Sequence, residues 1–241
     1  MTDRRAVAGP DTNLNWPEAS SRTVEVERTR IKLPAETDRR SAVLRDPLSA
    51  RSAAFRVLRH RVARSGDPRV IMVTSANDEE GKTTCALNLA LVLAESGRNR
   101  VLLLEANTRR PSLTEVLGFT TPACLLDQLT QHRGDATRPW KVAQLSSHDL
   151  DVLAVQPRSE PRLPLHGPSL LAATTHLRQI YDYVVIDASS ILTGLDVPLA
   201  QDAADGIVLA ARTRHSRARS MNAALDQIGT DRILGVALID P

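Results

Sequence analysis

The residues with the clearest capacity for chemistry lie in one run, Val70-Ile71-Met72-Val73-Thr74-Ser75-Ala76-Asn77-Asp78-Glu79-Glu80-Gly81-Lys82-Thr83-Thr84. An apolar strand enters a loop, and Gly-Lys-Thr-Thr then opens a helix that continues through Leu87, Leu89 and Leu91. A helix N-terminus presents unpaired N–H groups and a partial positive charge, and Gly81 permits close backbone approach, so the segment reads as a phosphate cradle. In it Lys82 would reach the β- and γ-phosphates of ATP and the Thr83 hydroxyl would ligate Mg²⁺. Asp78, Glu79, Glu80, Gly81, Lys82, Thr83 and Thr84 are the expected lining of the phosphates. The competing interpretation is an ordinary strand-to-helix turn capped by a threonine. Ala76 stands where such a loop usually begins with glycine. A carboxylate about 6 Å from a phosphate repels it by roughly 1–3 kcal/mol at effective dielectrics of ~20–50. Asp78, Glu79 and Glu80 are therefore expected to point outward.

Two further strand ends carry chemistry. Tyr181-Asp182-Tyr183-Val184-Val185-Ile186-Asp187 closes an apolar strand with an acid, in the position that holds Mg²⁺ or its water in phosphate-loop enzymes. The simpler alternative is an aspartate capping the next helix. Val101-Leu102-Leu103-Leu104 delivers Glu105, Asn107, Arg109 and Arg110 to the same edge. Arginines there can stabilise spread phosphoryl charge, although solvated surface arginines are commoner.

The elements that must position these residues alternate. Strands are expected at Val70–Thr74, Val101–Leu104, Val152–Val155, Tyr183–Ile186, Ile207–Ala210 and Ile233–Leu238. Helices are expected at Arg51–Ala63, Thr83–Ser96, Leu113–Gly118, Ala123–Gln131, Ser169–Tyr181, Val197–Ala204 and Ser216–Gln227. Continuous apolar strands separated by helices predict an α/β fold, a mainly parallel sheet covered on both faces. Residues 1–45 are rich in charge, proline and threonine without sustained periodicity; they read as a disordered arm with a short strand near Val24–Ile31, leaving 46–241 as the nucleotide-binding domain.

Composition narrows the classes. Of 241 residues only six are aromatic, so stacking platforms for nucleic acid are nearly excluded. The balance of 31 basic and 28 acidic residues gives a net charge of +3, too mild to imply a polyanion partner. Two cysteines, Cys85 and Cys124, cannot make a disulfide framework. Met1–Pro10 has no apolar leader region and no run approaches 18 apolar residues, which predicts a cytoplasmic protein.

The order of these segments resembles the bacterial tyrosine kinases of the CpsD/CapB type, which regulate capsule and exopolysaccharide synthesis. The likeness is carried by Asp46-Pro47-Leu48-Ser49 leading to Phe55-Arg56-Val57-Leu58-Arg59, by Thr74-Ser75 before Gly81-Lys82-Thr83-Thr84, and by Asn88-Leu89-Ala90. Arg109-Arg110-Pro111, Tyr181-Asp182-Tyr183 through Asp187, Ala203-Ala204-Asp205-Gly206 and Leu234-Gly235-Val236 continue it, over about residues 46 to 241. The resemblance implies a P-loop NTPase fold of the deviant, ParA/MinD-like superfamily. It also implies ATP and Mg²⁺ as cofactors, Lys82, Glu105, Asp187 and Arg109 as catalytic residues, and Thr83, Asp187 and Glu105 as metal contacts. A membrane polysaccharide co-polymerase would activate the chain in trans at the inner membrane face, and copies would associate through the Arg56/Arg59 helix.

The departures from that pattern are specific. Asp78-Glu79-Glu80 replaces Pro-Gly-Glu, Glu105-Ala106-Asn107 replaces Asp-x-Asp, and Ala188-Ser189-Ser190 replaces Thr-Pro-Pro. Ala53 stands for the glutamate of the Glu-x-x-Arg-x-x-Arg motif, leaving Arg56 and Arg59 without that partner. The family's C-terminal tyrosine cluster has no counterpart before Pro241, so autophosphorylation there is not expected. Two alternatives remain: a partitioning or positioning ATPase, in which Asn77 would occupy the signature-lysine position, and a nucleotide-binding pseudokinase adaptor. Nucleic acid is not the expected partner; the basic segments Arg51–Arg64 and Arg212–Arg219 read as solvated or subunit-facing surface.

Overall fold

The computed structural model describes residues 24–66, 68–145, 148–157 and 165–240. The chain begins with β1 (Val26–Ile31), α1 (Ala42–Arg45) and α2 (Ala50–Arg64), then β2 (Val70–Ser75), α3 (Lys82–Ala94) and β3 (Val101–Glu105). It continues with α4 (Leu113–Leu117), α5 (Leu125–Gly134), β4 (Trp140–Leu145), β5 (Leu150–Leu153), α6 (Gly167–Leu177) and β6 (Tyr183–Asp187). The last part is α7 (Val197–Asp202), β7 (Gly206–Arg212), α8 (Ala218–Ile228) and β8 (Ile233–Ile239).

Among the described residues the strands form one sheet in the order β1-β4-β5-β3-β6-β2-β7-β8. From β5 to β8 every pairing is parallel, whereas β4 pairs antiparallel with β5 and carries β1 parallel to itself. Strands covered on both faces have no need of polar alternation, which is why β2, β3 and β6 read as unbroken runs of Val, Ile, Leu and Met. One face packs on Phe55 and Val62 of α2, the leucines of α3, and Leu113 and Leu117 of α4. The other packs on Leu129 of α5, Leu170 and Leu177 of α6, Val197 of α7 and Ala224 of α8. Sandwiched between the sheet and α2, helix α3 is apolar almost all round. Its one deeply buried amide, Asn88, donates to the Thr84 and Arg40 carbonyls and accepts the Val43 N–H, bolting the segment before α2 onto the core.

Strand β1 is the short strand expected near Val24–Ile31, and the rest of 24–45 is ordered rather than the expected disordered arm. These residues supply an edge strand and a short helix that join the described residues from 46 onward; residues 1–23 lie outside the described residues. The strand's inner positions are charged or polar, as edge strands often are, and this hides its periodicity. Arg28 Nε reaches Asp151 Oδ2 on β5 at 2.8 Å, and the same oxygen accepts the Tyr181 hydroxyl at 2.7 Å. Strand β4 is not among the expected elements; its Trp140 stacks on His132 of α5 with ring centroids 3.7 Å apart.

Candidate functional site

The loop after β2 turns into α3 through Gly81, whose φ of +93° lies in the left-handed region that a side chain resists. A Cβ there would also meet Ile239 Cγ1 at 3.0 Å, so the tip of β8 braces the turn. Ala76 needs no glycine, because its φ is not positive and its side chain is buried. Lys82 lies along the loop with 6% of its surface exposed, and Thr83 and Thr84 follow in the first turn of α3.

The three acids do not all point outward, contrary to the electrostatic expectation. Glu79 alone is well exposed, with φ +64°. Glu80 is buried and folds back so that its carboxylate accepts the Asn77 backbone N–H at 2.8 Å and the Asn77 amide at 3.4 Å. Asp78 turns inward: it accepts the Ser190 hydroxyl at 2.6 Å and lies 3.4 Å from Lys82 Nζ and 3.8 Å from Arg110 Nη1. The Ser190 hydrogen bond, with help from Lys82 and Arg110, holds the Asp78 carboxyl below its ordinary range. Local hydrogen bonds and cations thus hold Asp78 as an inward-facing anion.

Asp187 ends β6 beside this loop. Its Oδ2 accepts the Thr83 hydroxyl at 2.7 Å, while Oδ1 is buried with no hydrogen-bond partner. Burial raises the Asp187 carboxyl to about 6, against the lowering influence of Thr83 and Lys82. Ser112, which no spacing rule singles out, adds a second hydroxyl 3.2 Å from Thr83 Oγ1. A buried carboxylate oxygen without a partner, next to a loop threonine, is the donor set Mg²⁺ takes when nucleotide phosphates and water complete its shell. The residues present therefore fit that cation. Beneath them Cys85 is fully buried, and desolvation together with Asp187 pushes its thiol up to about 12.

Glu105 stands level with Asp187 in the sheet register, but its carboxylate is already engaged. Oε1 accepts the Ser112 and Leu113 N–H groups at 2.6 and 2.9 Å, and Oε2 accepts Val155 N–H at 2.9 Å. It caps α4 and ties β5 to β3; desolvation raises it to about 7, against three backbone donors that favour the ionised form. Asn107 accepts Ser189 Oγ at 3.3 Å, and the Asp187 carbonyl accepts the Ala106 and Asn107 N–H groups. Of the two arginines, Arg109 donates to the Thr193 carbonyl at 2.6 Å, and Arg110 is the one that faces Asp78 and Glu79. The adjacency of the pair is legible in sequence; which of them faces the loop is not.

Away from the loop, Arg56 and Arg59 are not left without an acid. Arg56 makes a two-pronged pair with Glu95, and Arg59 donates to the Val92 carbonyl at 2.7 Å and lies 3.6 Å from Glu95. Both serve the C-terminal end of α3, where exposed carbonyls attract cations. An oligomer contact through these side chains would have to displace bonds they already make. Tyr181 is buried on Asp151, and that burial holds its phenol above its ordinary value; Tyr183 is half-buried in β6. No helix among the described residues is long and apolar enough to cross a membrane.

No protein-family model matches the chain. Several curated proteins do. The succinoglycan biosynthesis transport protein ExoP of Rhizobium meliloti is 29% identical over 178 residues, covering 71% of this chain and 22% of ExoP. Tyrosine-protein kinase YwqD of Bacillus subtilis is 29% identical over 174 residues, 68% of this chain and 69% of YwqD. Tyrosine-protein kinase CpsD of Streptococcus agalactiae is 27% identical over 191 residues, 76% of this chain and 81% of CpsD. The chain thus spans about a fifth of the length of ExoP and most of the two smaller kinases. Among solved structures, the VpsO kinase domain superposes with TM-score 0.66 at 25% identity, covering 79% of this chain and 96% of that one. The kinase domain of Escherichia coli ETK gives 0.69 at 21%, over 88% and 84%. The septum site-determining protein MinD of Pyrococcus horikoshii, complexed with Mg-ADP, gives 0.58 at 24% over 70% and 69%, a likeness of fold. The mainly parallel sheet is accordingly a P-loop, ParA/MinD-like fold, and the sequence relatives it resembles are bacterial tyrosine kinases and an exopolysaccharide transport protein.

Proposed function

We propose that this chain binds ATP with Mg²⁺ at the loop after β2 and acts as a phosphotransferase of the bacterial tyrosine-kinase type on separate protein substrates. It would do so in capsule or exopolysaccharide assembly, alongside a membrane co-polymerase. The observation that carries the reading is the buried Asp187 carboxylate, with one oxygen on Thr83 and the other without a partner, beside the buried Lys82. Mg²⁺, when bound, would supply positive charge that offsets the charge developing on the phosphates in transfer. Thr83 and Asp187 would hold it. Lys82 would bind the β- and γ-phosphates, the amides opening α3 would bind the inner phosphates, and Arg110, more than Arg109, is within reach of charge on the transferred group.

A second reading, a nucleotide-dependent regulator with little turnover, is favoured by Glu105, whose two oxygens accept three backbone N–H groups. Glu105 is then a positioning residue rather than a base. Titration with a fluorescent ATP analogue tests the shared core of both readings: Lys82→Ala is expected to weaken binding about tenfold or more, and equal affinity in the two proteins would overturn the assigned loop. Phosphate release then separates the two. Phosphotransferase chemistry requires wild-type turnover clearly above that of Asp187→Asn, and equal rates select the regulator.

A further inference from the structure

Asp78 differs from its acidic neighbours in what surrounds it. Oδ1 lies 3.4 Å from the Lys82 ammonium and accepts Ser190 Oγ at 2.6 Å. Oδ2 accepts Thr193 Oγ1 at 3.5 Å and faces the Arg110 guanidinium at 3.8 Å. An ammonium, a guanidinium and two hydroxyls converging on one anion is the environment that binds a phosphoryl group. Glu80 cannot play this part, because its carboxylate is folded onto Asn77, and Glu79 faces solvent.

Resting on the nucleotide site proposed above, we propose that Asp78 is a built-in stand-in for the terminal phosphate, which a triphosphate must displace from Lys82 and Arg110 before it binds. The inner phosphates of a nucleotide are held by the amides that open α3, at Gly81 to Thr84, and do not compete with a side chain. The terminal phosphate extends from them toward the cation-holding strand end. Ser190 and Thr193, which hold Asp78, follow Asp187 on that same side. The carboxylate therefore opposes a triphosphate more strongly than a diphosphate. Asp78 sets a preference between the two states of one ligand, and with it the nucleotide concentration at which the site fills with ATP.

The experiment measures calorimetric affinity for a non-hydrolysable ATP analogue and for ADP, each with Mg²⁺. It uses the full chain as wild type, Asp78→Asn, Lys82→Ala and Asp202→Asn. The last removes the same charge at the C-terminus of α7, on the opposite end of the sheet from the loop. Asp78→Asn is expected to tighten the triphosphate by about fivefold or more, and ADP by a smaller factor. Asp202→Asn is expected to stay within about twofold of wild type. The proposal is overturned if wild type binds through Lys82 but Asp78→Asn tightens neither nucleotide, tightens both equally, or gains no more than Asp202→Asn. If the Asp78→Asn protein, folded by its thermal transition, binds no nucleotide, Asp78 supports binding and the proposal is overturned; if Lys82→Ala binds as well as wild type, the nucleotide site itself is wrong and the proposal falls with it.

Discussion

Glu105 shows how one carboxylate can be structural at a place where chemistry would be expected. Three backbone N–H groups converge on it, and they occupy both of its oxygens. A glutamine in its place would turn an amide N–H toward one of those donors. Glu105→Gln is therefore expected to lower stability by about 1–3 kcal/mol in denaturant unfolding, the range for stranding a buried polar group. A catalytic base alone would lose turnover and leave stability unchanged. The identity of the acid at this strand end is legible in sequence, because an apolar run delivers it. Its engagement is not, since Ser112, Leu113 and Val155 reach it through main-chain atoms that no residue type announces. Asp187 is equally legible as a strand-end acid, and the unpartnered oxygen beside Thr83 is what the structure adds.

At the scale of elements, the central strands are recoverable from sequence because burial on both faces enforces long apolar runs. Strand β1 is harder to find, because an edge strand with charged inner positions resembles coil. Its attachment rests on Arg28, which reaches across to Asp151 and Tyr181. Arg28→Ala removes one of the two donors from an aspartate that is 4% exposed. Because the guanidinium itself is partly solvated, the loss should be modest, of order 1–2 kcal/mol and confined to the edge. Hydrogen exchange is expected to quicken about tenfold at the amides of β1 and β4 while β2, β3 and β6 keep their protection. Uniform loss across the sheet would show that the triad anchors the whole fold instead. The pairing of Arg56 and Arg59 with Glu95 is invisible in sequence, since a 39-residue separation joins two helices that meet only after folding.

For the whole molecule, the titration of buried acids sets a pH dependence with a definite sign. Burial raises Asp187 to about 6 and Glu105 to about 7, above their unfolded values near 4. The native state therefore binds more protons than the unfolded chain between about pH 4 and pH 7, and its stability rises as pH falls through that window. Asp38, Asp78 and Glu95 are shifted the other way by Arg40, Ser190 and Arg56, and they withdraw stability as pH falls from their unfolded values near 4 toward their own depressed values. The nucleotide-free protein should thus melt at a higher temperature near about pH 5.5 than near about pH 8, and Asp187→Asn should flatten the slope. A melting temperature that falls steadily over that descent in pH would contradict this balance.

Cys85 turns the helix behind the phosphate loop into a clock. Its thiol is buried and pushed up to about 12, so an alkylating reagent meets almost no thiolate until the helix opens. In a Cys124→Ser background the rate of modification would report how often that opening occurs. A molecule that binds only the closed loop slows the clock by the factor through which it favours closure. Affinity could then be read from the dwell time of one sulfur atom, without a fluorophore, a coupled enzyme or any knowledge of a substrate.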